Sequence, residues 1–204
     1  MSVNHIEVLV EEPSAEAALR FLLPKMVGNA SFQIYGHQCK ADLLQQLPAL
    51  LRGYARWLPP DWGIVVVVDK DTDECDALKA RLEQMAVDAR LTTRTQTGGG
   101  PYVVANRIAI EELEAWYFGD WEAVQAVYPR VSGTIPAKAK FRDTDAIAGG
   151  TWEAFERVLQ RAGYFRNGLR KIEAARAIAP HMEPARNRSR SFRALREALA
   201  EMTS

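Results

Sequence analysis

Residues 64–68, Ile-Val-Val-Val-Val, are five consecutive β-branched side chains, entered through Trp62-Gly63 and left through Asp69-Lys70-Asp71-Thr72-Asp73. β-Branching restricts χ1 and favours the pleated backbone. A strand with no polar residue on either face must be covered on both, the condition of a central strand in a parallel sheet. Parallel neighbours need crossover connections of a dozen or more residues, usually helical. This one run therefore predicts a layered α/β fold.

The flanking sequence supplies the other layers. His5–Glu11 reads as a strand, and Ser14 as the N-cap of a helix over Ala15–Leu23 that Pro24 is expected to kink or end. Ser31–Tyr35 reads as a second strand, and Lys40–Leu58 as helix, which Pro48 is expected to divide. Asp73–Arg90 reads as helix, Leu91–Thr95 and Tyr102–Ile110 as strands, and Glu111–Phe118 and Trp121–Val127 as helices. The alternation predicts a Rossmann-like, mostly parallel sheet flanked by helices over residues 1–128, with right-handed crossovers. Residues 129–150, rich in Gly and Pro, read as an irregular connection. Residues 151–204 read as a helical C-terminal extension packed on the same domain, with helices at Trp152–Ala162, Leu169–Ala179 and Ser191–Met202.

The chain has 204 residues, 48% hydrophobic and 25% charged, which excludes disordered, collagen-like and disulfide-rich classes. No apolar stretch approaches the roughly 20 residues of a membrane span, and the N-terminus lacks the pattern of a signal peptide. Cys39 and Cys75 lie far apart and suit free thiols in a cytoplasmic chain. The 26 basic and 26 acidic residues balance, but unevenly along the chain. Residues 1–150 carry 15 basic and 20 acidic side chains; residues 151–204 carry 11 and 6. Arg186, Arg188, Arg190, Arg193 and Arg196 fall within twelve residues, 185–196, without an acid. That segment is either a solvated helix start or a surface for phosphate.

The acidic residues are the sharper feature. Glu11-Glu12 and Asp69–Asp73 stand at carboxyl ends of expected strands, just before helix starts, where open α/β sheets place their ligands. In extended chain Asp69 and Asp71 point to one side, so they and Glu11 form a candidate site for one hard cation, Mg²⁺ or Mn²⁺. The competing reading is that Asp69, Asp71 and Asp73 cap the following helix and its dipole. A calcium-loop reading fails, because Glu74 stands where that loop needs Gly and Ala80 where it needs Glu.

Val10-Glu11-Glu12-Pro13-Ser14-Ala15-Glu16 resembles the first-strand glutamate motif of TOPRIM domains, and Asp69-Lys70-Asp71 resembles their DxD. Arg107–Trp116 (RIAIEELEAW) and Asn187–Phe192 (NRSRSF) resemble the DUF4276 family of TOPRIM-like bacterial proteins. The resemblance implies a Mg²⁺-dependent site of the kind used by topoisomerases, primases and OLD-type nucleases. Carried over by position, Glu11 is a metal or acid–base residue and Asp69 and Asp71 are the metal pair. Glu112 and Glu114 are candidates for a second metal, as a downstream acidic motif is in OLD-type nucleases, with helix N-terminal acids on the dipole as the competing reading. Asp73 is a further candidate ligand. Glu12 departs from the pattern, where glycine is usual. An ATPase partner and a role in phage or mobile-element defence are also implied only by the resemblance.

Such a site suits phosphodiester hydrolysis, with nucleic acid, DNA above all, as substrate. Glu11 or Glu12 would take the proton of the attacking water, and Lys70, Lys171, Arg186, Arg188 or Arg190 would face phosphate. A topoisomerase would need a tyrosine nucleophile, and no tyrosine here has a distinguishing context. Two other readings stand beside the nuclease: a non-catalytic binding or regulatory subunit, and a nucleotide-sugar transferase holding a metal–diphosphate on DxD. A homo-oligomer is left open and no membrane is expected. His5, His37 and His181 share no ligand spacing, Gly98–Gly100 lacks the lysine of a phosphate loop, and the aromatics Trp116–Trp121 read as core.

Overall fold

The computed structural model describes residues 2–110 and 112–204. Among them, strands β1 (His5–Val10), β2 (Ser31–Gly36), β3 (Trp62–Asp69) and β4 (Val104–Ala109) form one sheet in the order β2-β1-β3-β4, every adjacent pair parallel. The helices are α1 (Pro13–Leu22), α2 (Lys40–Trp57), α3 (Cys75–Asp88), the four-residue α4 (Arg94–Thr97), α5 (Glu114–Gly119), α6 (Trp121–Val127), α7 (Thr151–Arg161), α8 (Lys171–Ile178) and α9 (Arg190–Thr203). The fold is α/β, an all-parallel sheet with helices on both faces, as the Ile64–Val68 run predicts.

β3 is buried along its whole length except Trp62. Its side chains alternate between two cores. Val65 and Val67 join Val8 and Val10 beneath α1 and α5 to α9, whereas Ile64, Val66 and Val68 join Leu9 beneath α2 and α3. Each such side chain contributes roughly 1.5–3 kcal/mol relative to an exposed one. The chain leaves β1 toward β2 and returns through α2, past β1, to β3. The order therefore reverses between β1 and β3, and this is where an open parallel sheet leaves a crevice at its carboxyl edge.

Several boundaries differ from expectation. α2 is not divided at Pro48; it runs unbroken with the proline inside it. Leu43, Leu44, Leu47, Leu51 and Tyr54 bury one face of α2 on either side of Pro48, and that packing offsets the roughly 3 kcal/mol proline penalty. Leu91–Thr95 is not a strand. Thr93 makes one isolated bridge to Val104 and then caps α4 in a reciprocal capping box with Gln96. Local capping wins there because a Thr three residues before Gln satisfies two amides at once. Glu12, not Ser14, holds the N-cap position of α1, since Pro13 takes the first helical turn. The predicted helix Glu111–Phe118 begins at Glu114, and Glu111 lies outside the described residues. Residues 129–150 are irregular, with short 3₁₀ turns at Ile135–Ala137 and Ala139–Phe141.

The segment leading into α9 is fixed by polar contacts. Asn187 Nδ2 donates to Trp116 O at 2.9 Å, and Arg188 N to Gly119 O at 3.0 Å. Approach is so close that a Cβ on Gly119 would lie 2.1 Å from Asn187 Oδ1. Asp145, buried, accepts from Ser189 Oγ (2.8 Å), Ser191 Oγ (2.7 Å) and Arg190 N (2.6 Å). Ser189 caps α9 by accepting from Phe192 N. In the Asn187–Phe192 motif, Asn187, Ser189, Ser191 and Phe192 thus face inward, while Arg188 and Arg190 face solvent.

Candidate functional site

Glu11 follows the last residue of β1, and Asp69 is the last residue of β3. Parallel pairing of Val10 with Val67 brings the two ends level. Asp69 N donates to Glu11 Oε2 at 2.9 Å. Both residues are buried, Glu11 to 7% and Asp69 to 5% exposure. Burial raises the Glu11 carboxyl to about 7 against the lowering by that amide, with Asp71 raising it further and Lys40 opposing. Asp69 is held well above the carboxylate range, first by burial and then by Glu11, Glu12, Glu114 and Asp71.

Behind this pair lies Glu114, in the first turn of α5 and 1% exposed. Its Oε2 has no hydrogen-bond partner, and the same is true of the hydroxyl of fully buried Tyr117 one turn on. Burial lifts Glu114 to about 7 even though Lys171 pulls it down; Glu112 and Glu12 add to the rise. Lys171, at the start of α8, stands 3.9 Å from Glu12 Oε2. Burial works against its charge, yet Glu114, Glu12, Glu112 and Asp69 together raise its pKa. Glu12 also accepts a short hydrogen bond from Ser14 Oγ. Glu112 Oε2 accepts from Trp152 N at 2.8 Å, at the start of α7.

The extended backbone assumed for the Asp69 and Asp71 pair does not reach Asp71, which still lies close enough to raise both Glu11 and Asp69. The extended backbone ends at Asp69, and Asp71 adopts a left-handed φ of 48°, a conformation Asp tolerates better than most residues. The turn brings Asp71 Oδ2 to 2.7 Å and Asp73 Oδ2 to 3.0 Å from Lys40 Nζ, which also donates to Lys70 O. Among the described residues, no three His, Cys, Asp or Glu side chains converge as ligands of one metal ion. The donor chemistry suits a hard cation all the same: the group is oxygen-only, its carboxyls raise one another, and Glu114 has an oxygen without a partner.

A protein-family model described as Domain of unknown function (DUF4276) matches residues 10–200. The chain belongs to the DUF4276 family. No curated protein and no solved structure matches it. The matched span of this DUF4276 chain takes in every residue of the strand-end group, from Glu11 to Lys171.

The Arg-rich segment of the DUF4276 chain is largely committed elsewhere. Arg186 pairs with Asp120 and Glu122, each at 2.8 Å, and Arg190 with Asp143 at 2.7 Å. Arg188 is exposed. Two site residues escape sequence reasoning. Lys40 looks like an ordinary helix-start lysine, and its only signal is its position just past the carboxyl end of β2. Tyr117 sits in an aromatic run that reads as core, which it is; only its place one turn after Glu114 marks its hydroxyl. Among the described residues, no helix is long and apolar enough to cross a membrane.

Proposed function

We propose that this chain is a TOPRIM-like, Mg²⁺- or Mn²⁺-dependent nuclease that hydrolyses phosphodiester bonds, DNA above all, and works with a partner ATPase in defence against phage or mobile elements. The observation that carries the reading is the hydrogen bond between Asp69 N and Glu11 Oε2. It joins a first-strand glutamate and a third-strand aspartate at the reversal point of a parallel sheet, with buried Glu114 behind them. Glu11, Asp69 and Asp71 are the residues that would hold the ion, with Asp73, Glu112 and Glu114 in reserve. The ion, when bound, supplies Lewis-acid charge opposite the phosphoryl oxygens.

The chain's own groups fill the remaining roles. Glu11 Oε2 is engaged by the Asp69 amide, so Oε1 is the atom that takes a proton from an attacking water. A carboxylate oxygen held against the attacking water accepts its proton as a general base. Lys171, kept charged among Glu12, Glu112 and Glu114, offers an ammonium to a phosphoryl oxygen. Cleavage of plasmid DNA with Mg²⁺ or Mn²⁺, lost in Asp69→Ala/Asp71→Ala, is the expected result. No cleavage with either metal, alone or with the ATPase, would sink the reading.

One observation favours a second reading, a non-catalytic binding or regulatory subunit. Lys40 already supplies a cation to Asp71 and Asp73. A protein that uses Lys40 as its permanent counter-charge needs no metal there.

A further inference from the structure

Another charged feature lies away from the carboxylates. A cavity of about 500 Å³ opens between the 129–141 segment and the outer half of α7. Arg130, Lys138, Lys140, Arg157 and Arg161 line it, and no acidic residue does. Among the described residues, none of these five is within ion-pairing distance of a carboxylate. Where they are engaged, the partners are neutral. Arg130 donates to Gly163 O and lies 4.3 Å over the Tyr164 ring, Arg157 donates to Gly149 O, and Lys140 stands over Phe141. In this they differ from Arg186 and Arg190, which are held by carboxylates. The floor is apolar: Ile135, Phe141 and Val158 are all buried.

α7 connects this cavity to the carboxylate site. Its first turn presents Trp152 N to Glu112, and its last residue, Arg161, lines the cavity. Eleven residues at about 1.5 Å each make this a rod of roughly 16 Å. Arg157 and Arg161, four residues apart, share one face of that rod.

We propose that the cavity binds a single strand of nucleic acid, its phosphates on the five cations and a base on the apolar floor. Cations without carboxylate partners neutralise phosphates and release counterions, and an apolar floor accepts the face of any base. The inference rests on the nucleic-acid reading of the substrate above. It assigns strand binding to α7 and the 129–141 segment rather than to residues 186–196.

The test is fluorescence anisotropy with a labelled single-stranded oligodeoxynucleotide in EDTA, so that nothing is cleaved. The expected result is wild-type binding that weakens roughly tenfold or more in Arg157→Glu/Arg161→Glu and is retained in Arg188→Glu/Arg193→Glu. The milder Arg157→Gln/Arg161→Gln, checked for an unchanged melting curve, should flatten the log–log salt slope by about 1.4, that is, about 0.7 for each phosphate no longer neutralised. No strand binding by wild type, equal weakening in both charge-reversed pairs, or binding of free ATP in place of the strand would each overturn the proposal. Cleavage measured separately in Mg²⁺ keeps the two readings apart. A chain that binds the strand here but cuts nothing loses only the nuclease assignment. A chain that cuts, with strand affinity unmoved by Arg157→Glu/Arg161→Glu, loses only the cavity.

Discussion

Asp69 N donates to Glu11 Oε2 at 2.9 Å, across the seam between the first and third strands. The hydrogen bond orients Glu11 but does not neutralise the group, because Asp69 brings its own carboxyl to the same place. Burial and four neighbouring acids hold that carboxyl well above its usual range. Asp69→Asn replaces one of these crowded carboxyls by a neutral amide. Its melting temperature in metal-free buffer at pH 8 should exceed that of wild type by several degrees.

The same substitution should abolish stabilisation by Mg²⁺. At a hundred times its Kd an ion adds about 2.7 kcal/mol, or roughly 5–10 °C for a chain of this size. Differential scanning fluorimetry with and without Mg²⁺ reads this directly. An equal Mg²⁺ shift in wild type and Asp69→Asn would remove Asp69 from the site.

Stability should fall as pH rises through neutrality. Glu11 and Glu114 have folded-state values of about 7, against 4.5 for an ordinary glutamate. Between those values the folded state binds more protons than the unfolded one, so each upward step in pH lowers the unfolding free energy. The loss begins above about pH 4.5 and is largely complete past pH 7. Glu114→Gln, which cannot ionise, should flatten the metal-free melting profile between pH 5 and 8. An unchanged slope would show that Glu114 does not carry the effect.

Lys40 separates the two functional readings. If a divalent ion occupies the site, the ammonium competes with it for Asp71, and Lys40→Met should tighten Mg²⁺ binding about three- to tenfold by calorimetry, a gain of roughly 0.7–1.4 kcal/mol. If Lys40 is the permanent counter-charge, the variant should lose stability at pH 8 and gain no metal affinity.

What is legible in the sequence, and what is not, follows from range. The Ile64–Val68 run fixes its own environment, since five β-branched residues leave no solvent face; the parallel sheet and the strand-end position of Asp69 follow from it, and that of Glu11 from the His5–Glu11 pattern. Local rules fail where they compete. Pro48 obeys helix propensity only until Leu43, Leu47 and Leu51 anchor both sides of it to the sheet. Thr93 belongs to a β-rich stretch, but a glutamine three residues later offers a cap. The chain turns left-handed at Asp71, which no strand pattern announces, and the turn brings its carboxylate to Lys40 while keeping it near Asp69. Lys40 is marked only by its position just past the second strand, because the crossover through that strand is what brings it to the site.

The Asp145 network should be a point of fragility. Its carboxylate accepts from Ser189 Oγ, Ser191 Oγ and Arg190 N. Asp145→Ala leaves these donors without their acceptor in a buried setting, at a cost of about 3 kcal/mol. Thermal unfolding should shift down by roughly 6–12 °C. A shift under about 2 °C would mean that the serines find other acceptors.

The strand-end group is assembled from residues far apart in the chain, and Lys171 follows Glu11 by 160 positions. At about 5–20 residues per second, a ribosome takes roughly 8–30 s to make that stretch. Asp69 is made 58 residues after Glu11, so over the last 102 residues of that stretch both acids exist without Lys171, and Lys40 is the site cation already made. A translation product interrupted before α8 would carry these acids with Lys40 alone, lacking the lysine that faces Glu12 and Glu114.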